Sequence, residues 1–130
     1  MSEYSTPRIA PYLLYEDVGK AWRWLEQAFG FKLRHPLNDA NSTHVEMALG
    51  DDGVVMMGQP GGGYRNPKQL GCHTSYLYVR VTDIDRFFDR AVAAGALVIE
   101  QPADQPYGDR RCALDDPEGH RWYFAQGIAG

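Results

Sequence analysis

The chain has 130 residues, 44% of them hydrophobic, and a formal net charge of −4. That length supports one domain with a real core and leaves too little chain for two independent ones. No stretch approaches the roughly 18 apolar residues of a membrane helix, and no Lys/Arg cluster offers a phosphate-neutralising surface. The composition therefore points away from the membrane and from nucleic acid, and the N-terminus shows no apolar core of a signal peptide. A cytoplasmic protein is the expectation. The two cysteines, Cys72 and Cys112, lack CxxC spacing and read as reduced packing residues rather than a zinc site or a disulfide framework.

In chain order, Ile9 to Tyr15 is a short apolar run that reads as a strand, with Pro11 placing it at a sheet edge or at an irregular start. Asp17 is a helix N-cap and Gly30 a helix stop, and between them Trp22, Trp24, Leu25, Ala28 and Phe29 mark a buried helical face with the tryptophans as core anchors. Phe31 to Leu33 reads as a short strand and His35 to Ser42 as a polar loop. Thr43 to Leu49 alternates, with Val45, Met47 and Leu49 on one face and His44, Glu46 and Ala48 on the other. The turn at 50–53 leads into a partner strand, Val54 to Gln59. The stretch 60–71, PGGGYRNPKQLG, is Gly/Pro-rich and aperiodic, as expected of a linker or mobile loop.

The second half repeats the order. Thr74 to Val81 places Leu77, Val79 and Val81 on one strand face and Tyr76, Tyr78 and Arg80 on the other. Asp83 caps a helix with an Ile84, Phe87, Phe88, Ala91, Val92 stripe, ended by Gly95. Ala96 to Glu100 is a strand, 101–105 a loop containing Pro102, and Asp109 to Leu114 with His120 to Gln126 form a hairpin around Asp115-Asp116-Pro117-Glu118-Gly119. Tyr12-Leu13 aligns with Tyr76-Leu77, Leu49 with Leu114, Gly53 with Gly119 and Gln59 with Gln126, an offset drifting only from 64 to 67. The chain reads as a duplicated βαβββ unit, module 8–60 and module 74–126 joined by the loop 60–73.

This duplication, with its terminal DDPEGHRWYF segment, resembles the vicinal oxygen chelate superfamily of glyoxalases, bleomycin-resistance proteins and extradiol dioxygenases over Ile9 to Gln126. The resemblance implies an α+β fold: two tandem βαβββ modules forming a cupped mixed sheet with helices on the outside, often in a homodimer. Enzymes of that family carry His, Glu or Gln metal ligands on the first and last strand of each module. The matching positions here are Ala10, Met57 (or Met56), Tyr76 and Tyr123, none of which is a metal ligand of that kind. His44 and Glu46 share a face but lack a third ligand, so they read as a polar strand face.

No catalytic residue, metal or cofactor is therefore expected. Strand parity places Glu46 and Ala48, and Arg111 and Ala113, towards the cup, making Glu46 and Arg111 repeat-equivalent. Tyr12, His44, Glu46, Met57, Tyr76, Tyr78, Arg111 and Tyr123 then line a site suited to a small aromatic or cationic molecule. Two other readings stay open. One is an enzyme of the same fold that uses a metal, or Glu46, His44 or Arg111 as acid, base or oxyanion stabiliser. The other is a noncatalytic scaffold.

Overall fold

The computed structural model describes residues 7–34 and 43–128. It is a mixed α+β structure with two four-stranded mixed sheets, and its backbone divides into two compact units, Met1–Asn66 and Pro67–Gly130. Among the described residues no helix is long and apolar enough to cross a membrane.

In the first unit β1 (Tyr12–Leu14) leads to α1 (Val18–Phe29), then β2 (Lys32–Leu33), β3 (Val45–Leu49) and β4 (Gly53–Gly58). The sheet order is β1-β4-β3-β2, with β1 parallel to β4 and the other pairs antiparallel. The helix begins where the sequence places it, because the Asp17 carboxylate accepts from Lys20 N at 3.0 Å. It ends where Gly30 takes φ 73°, a left-handed angle that a side chain disfavours.

The buried stripe is Val18, Ala21, Leu25, Ala28 and Phe29. Trp22 and Trp24 are only half-buried, which corrects their reading as core anchors. At 100° per residue they flank the stripe. Trp24 still packs its edge on Phe29 at 5.0 Å, while Trp22 carries the Arg23 guanidinium 4.9 Å from its ring centre. Strand β1 is shorter than expected and leaves Ile9 exposed. It is an edge strand, as Pro11 suggests, and the Pro11 carbonyl still accepts from Met56 N at 2.9 Å.

The second unit contains β5 (Leu77–Arg80), α3 (Ile84–Ala93), β6 (Leu97–Asp104), β7 (Asp109–Asp115) and β8 (Arg121–Gly127), in sheet order β5-β8-β7-β6. Before them, Pro67–Leu70 forms a single helical turn, α2, inside the stretch expected to be a linker. Asp83 caps α3 by accepting from Arg86 N at 3.3 Å, and Gln126 Oε1 accepts from Ile84 N at 3.0 Å, so a strand side chain satisfies a second orphan donor of the helix. Against α3 lie Cys112, Leu114, Trp122 and Phe124, all fully buried, with Phe87 4.3 Å from Phe124 between ring centres.

Of the loop expected at 101–105, all but Gln105 is instead the second half of β6. Pro102 is tolerated because β6 is an edge strand whose ladder shifts register between Val98 and Glu100 and again between Glu100 and Ala103. Cys112 is buried but Cys72 is exposed, so only the first is a packing residue.

The β7–β8 turn is built on one buried carboxylate. Asp116 accepts from Glu118 N at 3.1 Å, His120 N at 3.0 Å and the Trp122 indole at 3.0 Å. Gly119 closes the turn at φ 88°, and a Cβ there would stand 3.2 Å from Lys68 N. His73 donates to the Gly119 carbonyl at 2.8 Å, tying the segment before β5 to the turn.

Candidate ligand-binding face

Residues paired across neighbouring strands project to the same side of a sheet, so the register decides which side chains meet. In the first sheet Tyr12 pairs with Met56 and Met56 with Glu46, giving one row on the face away from the buried Val45 and Met47. Arg34 extends that row through its backbone bond to Glu46, and its guanidinium meets the Glu46 carboxylate at 2.7 Å. Tyr12 stacks on His44 with ring centres 5.6 Å apart, and its hydroxyl lies 2.8 Å from Nδ1. Gly58 makes room for this arrangement, because a Cβ there would come within 2.8 Å of Tyr12 Cε1.

Met57 falls outside this group. It pairs with Leu13 and Val45 and is fully buried on the helix side, so Met56 occupies the position expected of it. A one-residue slip reverses a strand side chain, and the Val-Val-Met-Met run gave no polar alternation to fix the parity.

The equivalence of Glu46 and Arg111 also needs correction. The caps Asp17 and Asp83 and the paired rows Tyr12–Met56 and Tyr78–Tyr123 set the repeat at an offset of 66 to 67. Glu46 then corresponds to Ala113, His44 to Arg111, and Tyr12 to Tyr78 rather than Tyr76.

In the second sheet Tyr78 pairs with Tyr123 and Tyr123 with Ala113, while Arg80, Ala125 and Arg111 form the next row. Tyr123 is the centre of an aromatic cluster. Its ring centre is 4.4 Å from Tyr76 and 6.4 Å from Tyr78, the latter nearly parallel to it at 9°, and the Arg111 guanidinium sits 5.1 Å over it. Tyr76, just before β5, and Tyr78 within it are 58% and 39% exposed, although the other face of this sheet is a filled core.

Arginine–carboxylate pairs surround these rings. Arg80 meets Asp109 at 2.9 Å, Arg111 meets Glu100 at 3.2 Å, and Arg121 grips Asp115 through bonds of 2.9 and 3.2 Å. Tyr78 donates to Asp109 at 2.5 Å, and Tyr107 stands between Arg111 at 3.0 Å and the Tyr78 hydroxyl at 3.2 Å. Bonds from Arg80 and then Tyr78 hold the Asp109 carboxyl below its ordinary range, while burial and the bond to Asp109 push the Tyr78 phenol up. Asp109 is thus an ionised acceptor and Tyr78 a protonated donor.

The second unit therefore brings Tyr76, Tyr78, Arg111 and Tyr123 together, and the first brings Tyr12, His44 and Glu46 onto one face. Sequence reasoning held Met56 only as the alternative to Met57 and missed Arg34, Gly58, Glu100, Tyr107 and Asp109. Asp109 shares the strand parity of Arg111 and could have been found, whereas Tyr107 lies between strands, where no periodicity applies. Among the described residues no group of three or more His, Cys, Asp or Glu side chains converges on a point. His44 and Glu46 are each engaged by a protein partner, Tyr12 and Arg34.

Residues 8–124 match the family model described as Glyoxalase/Bleomycin resistance protein/Dioxygenase superfamily. The chain belongs to that superfamily. The chain is similar to the uncharacterized protein Mb0911c of Mycobacterium bovis, 31% identical over 128 residues that span 94% of this chain and 84% of that one. TioX from Micromonospora sp. ML1 is 32% identical with a TM-score of 0.74, covering 95% of this chain and 100% of its own. TnmS3 from Streptomyces sp. CB03234, described as an antibiotic binding protein, shares the fold at a TM-score of 0.72 and 19% identity, over 98% of this chain and 99% of its own.

Proposed function

We propose that this superfamily member is a metal-independent small-molecule binding protein that holds a planar aromatic ligand against the tyrosine face of its second sheet. The carrying observation is the exposed Tyr76–Tyr78–Tyr123 cluster. Partly exposed, mutually packed rings offer a flat apolar surface whose desolvation favours another ring, at about 0.5–1.5 kcal/mol per aromatic pair beyond area burial. An antibiotic binding protein with the same fold supports the reading by showing that this scaffold can serve as a binder. Tyr12, His44, Glu46 and Met56 form the corresponding surface of the first unit, a candidate binding face of that unit by itself. By the family resemblance the protein acts as a homodimer with two equivalent sites.

The test is titration of purified protein with anthracene derivatives, followed by tryptophan fluorescence and calorimetry. Saturable binding that Tyr123→Ala weakens at least tenfold, and that EDTA leaves unchanged, is the expected result. Absence of saturable binding, or a stoichiometric metal that survives dialysis and is required for it, refutes the proposal. Sedimentation velocity checks the dimer.

A second reading, an enzyme of the same fold, is favoured by the Tyr12–His44 hydrogen bond, which orients an imidazole as an acid-base group. Ligand turnover abolished by His44→Ala, with binding retained, would establish it.

A further inference from the structure

The charges on the face of the second sheet opposite α3 decide what kind of ring system it accepts. By register that face carries Tyr76, Tyr78 and Arg80 from β5 and its approach, and Arg121, Tyr123 and Ala125 from β8. Strand β7 contributes Asp109, Arg111, Ala113 and Asp115, and β6 contributes Leu97, Glu100 and Ala103. Its three arginines and three carboxylates are matched one to one, as Arg80–Asp109, Arg111–Glu100 and Arg121–Asp115.

Two of the three rings already hold a guanidinium where a ligand cation would sit. Arg111 lies 5.1 Å over Tyr123 and Arg80 lies 6.0 Å from the Tyr78 ring centre, so the chain's own guanidinium groups fill the cation–π positions of two rings. Asp109 accepts from both Tyr78 and Arg80. Because the ionised Asp109 can only accept, the Tyr78 proton is committed to it. Tyr107 therefore donates to Tyr78 while accepting from Arg111, a directed chain that runs from the guanidinium to the carboxylate. A charged ligand would lose its own hydration here and find no uncompensated partner of opposite sign. The first sheet's face shows the same closure between Arg34 and Glu46.

We infer that the ligand is an uncharged planar aromatic molecule, recognised by stacking on a charge-balanced tyrosine face, and not the cationic compound that an acidic chain would suggest. This inference rests on the proposed binding function. The experiment uses three probes on one ring system: 9-anthracenemethanol, 9-(aminomethyl)anthracene and 9-anthracenecarboxylate, titrated into the full chain at low and high salt. The neutral probe should bind at least tenfold tighter than either charged one, with its affinity changing less than twofold with salt.

Glu100→Gln, on the exposed side of its pair, leaves the Arg111 charge uncompensated and should raise affinity for the carboxylate at least fivefold, with an unchanged circular dichroism spectrum. Asp115→Asn, which uncovers Arg121, is the second variant and should act in the same direction. Tightest binding of the amine, weakening as salt rises, overturns the inference while leaving a binding site. No gain of carboxylate affinity in either folded variant overturns it as well. Failure of all three probes to bind overturns the binding function itself and this inference with it.

Discussion

Replacing Asp116 should test the largest single polar commitment in the second unit. Its carboxylate is buried and receives the Glu118 and His120 amides on one oxygen and the Trp122 indole on the other, all at 3.0–3.1 Å. Hydrogen bonds to a charged acceptor contribute about 1.5–3 kcal/mol each, and a buried donor left unpaired costs about 1–3 kcal/mol. The Glu118 amide is only part-buried and can turn to water, so Asp116→Ala strands the other two donors and should cost about 3–5 kcal/mol.

Asp116→Asn keeps one acceptor for the two amides but points an NH2 at the indole N–H, and should cost about 1.5–3 kcal/mol. In a Trp122→Phe background that clash vanishes, so the Asn substitution should cost less than about 1 kcal/mol, a coupling of at least about 0.5 kcal/mol. Urea unfolding of the four proteins in the cycle measures this. An Asn penalty equal in both backgrounds would refute the assignment of the carboxylate to the indole.

Asp109→Asn should change the acid limb of stability. The folded carboxyl is held below its ordinary 3.8 by Arg80 and Tyr78. Its contribution is thus complete above that value and lost as pH falls through the lower folded one. The stability gap between wild type and variant should narrow over that window in denaturation measured from pH 5 downward, and a gap independent of pH counters the argument.

Gly58→Ala should swing the Tyr12 ring off His44. A Cβ would stand 2.8 Å from Tyr12 Cε1, yet the ring is half exposed and can move. Global stability should therefore change by less than about 1 kcal/mol while the His44 imidazole NMR signals shift, and unshifted signals would contradict the packing. Burial pushes the Cys112 thiol up to about 12, so a disulfide reagent at pH 8 should titrate only the exposed Cys72 in the native protein and both thiols in denaturant. Equal native rates would disprove the burial.

Much of the architecture is local enough to be written in the residues. Asp17 and Asp83 start the helices, Gly30 stops the first, Gly119 shapes the last turn, and alternation assigns Val45, Met47, Trp122 and Phe124 to the buried face. Each depends on a backbone angle, a cap or a period that one segment carries by itself. The duplication likewise shows as recurring residues, and it leads to the superfamily before any coordinate is known.

What needed tertiary structure was pairing. Whether Met56 or Met57 shares the face of Tyr12 turns on a one-residue register that an unbroken apolar run leaves open, and only the ladder to Leu13 and Val45 settles it. The strand character of 101–104 comes from β7 beside it, which overrides the local bias of Pro102 at an edge. Arg111 had a face in the sequence, but its carboxylate, Glu100, and its hydroxyl partner, Tyr107, come from other segments. The sequence alone thus determined most of the elements, the duplication and the face shared by Tyr78 and Tyr123. Only the folded sheet decided that every arginine beside them is already matched by a carboxylate, because charge compensation depends on distances between strands that periodicity along one strand does not encode.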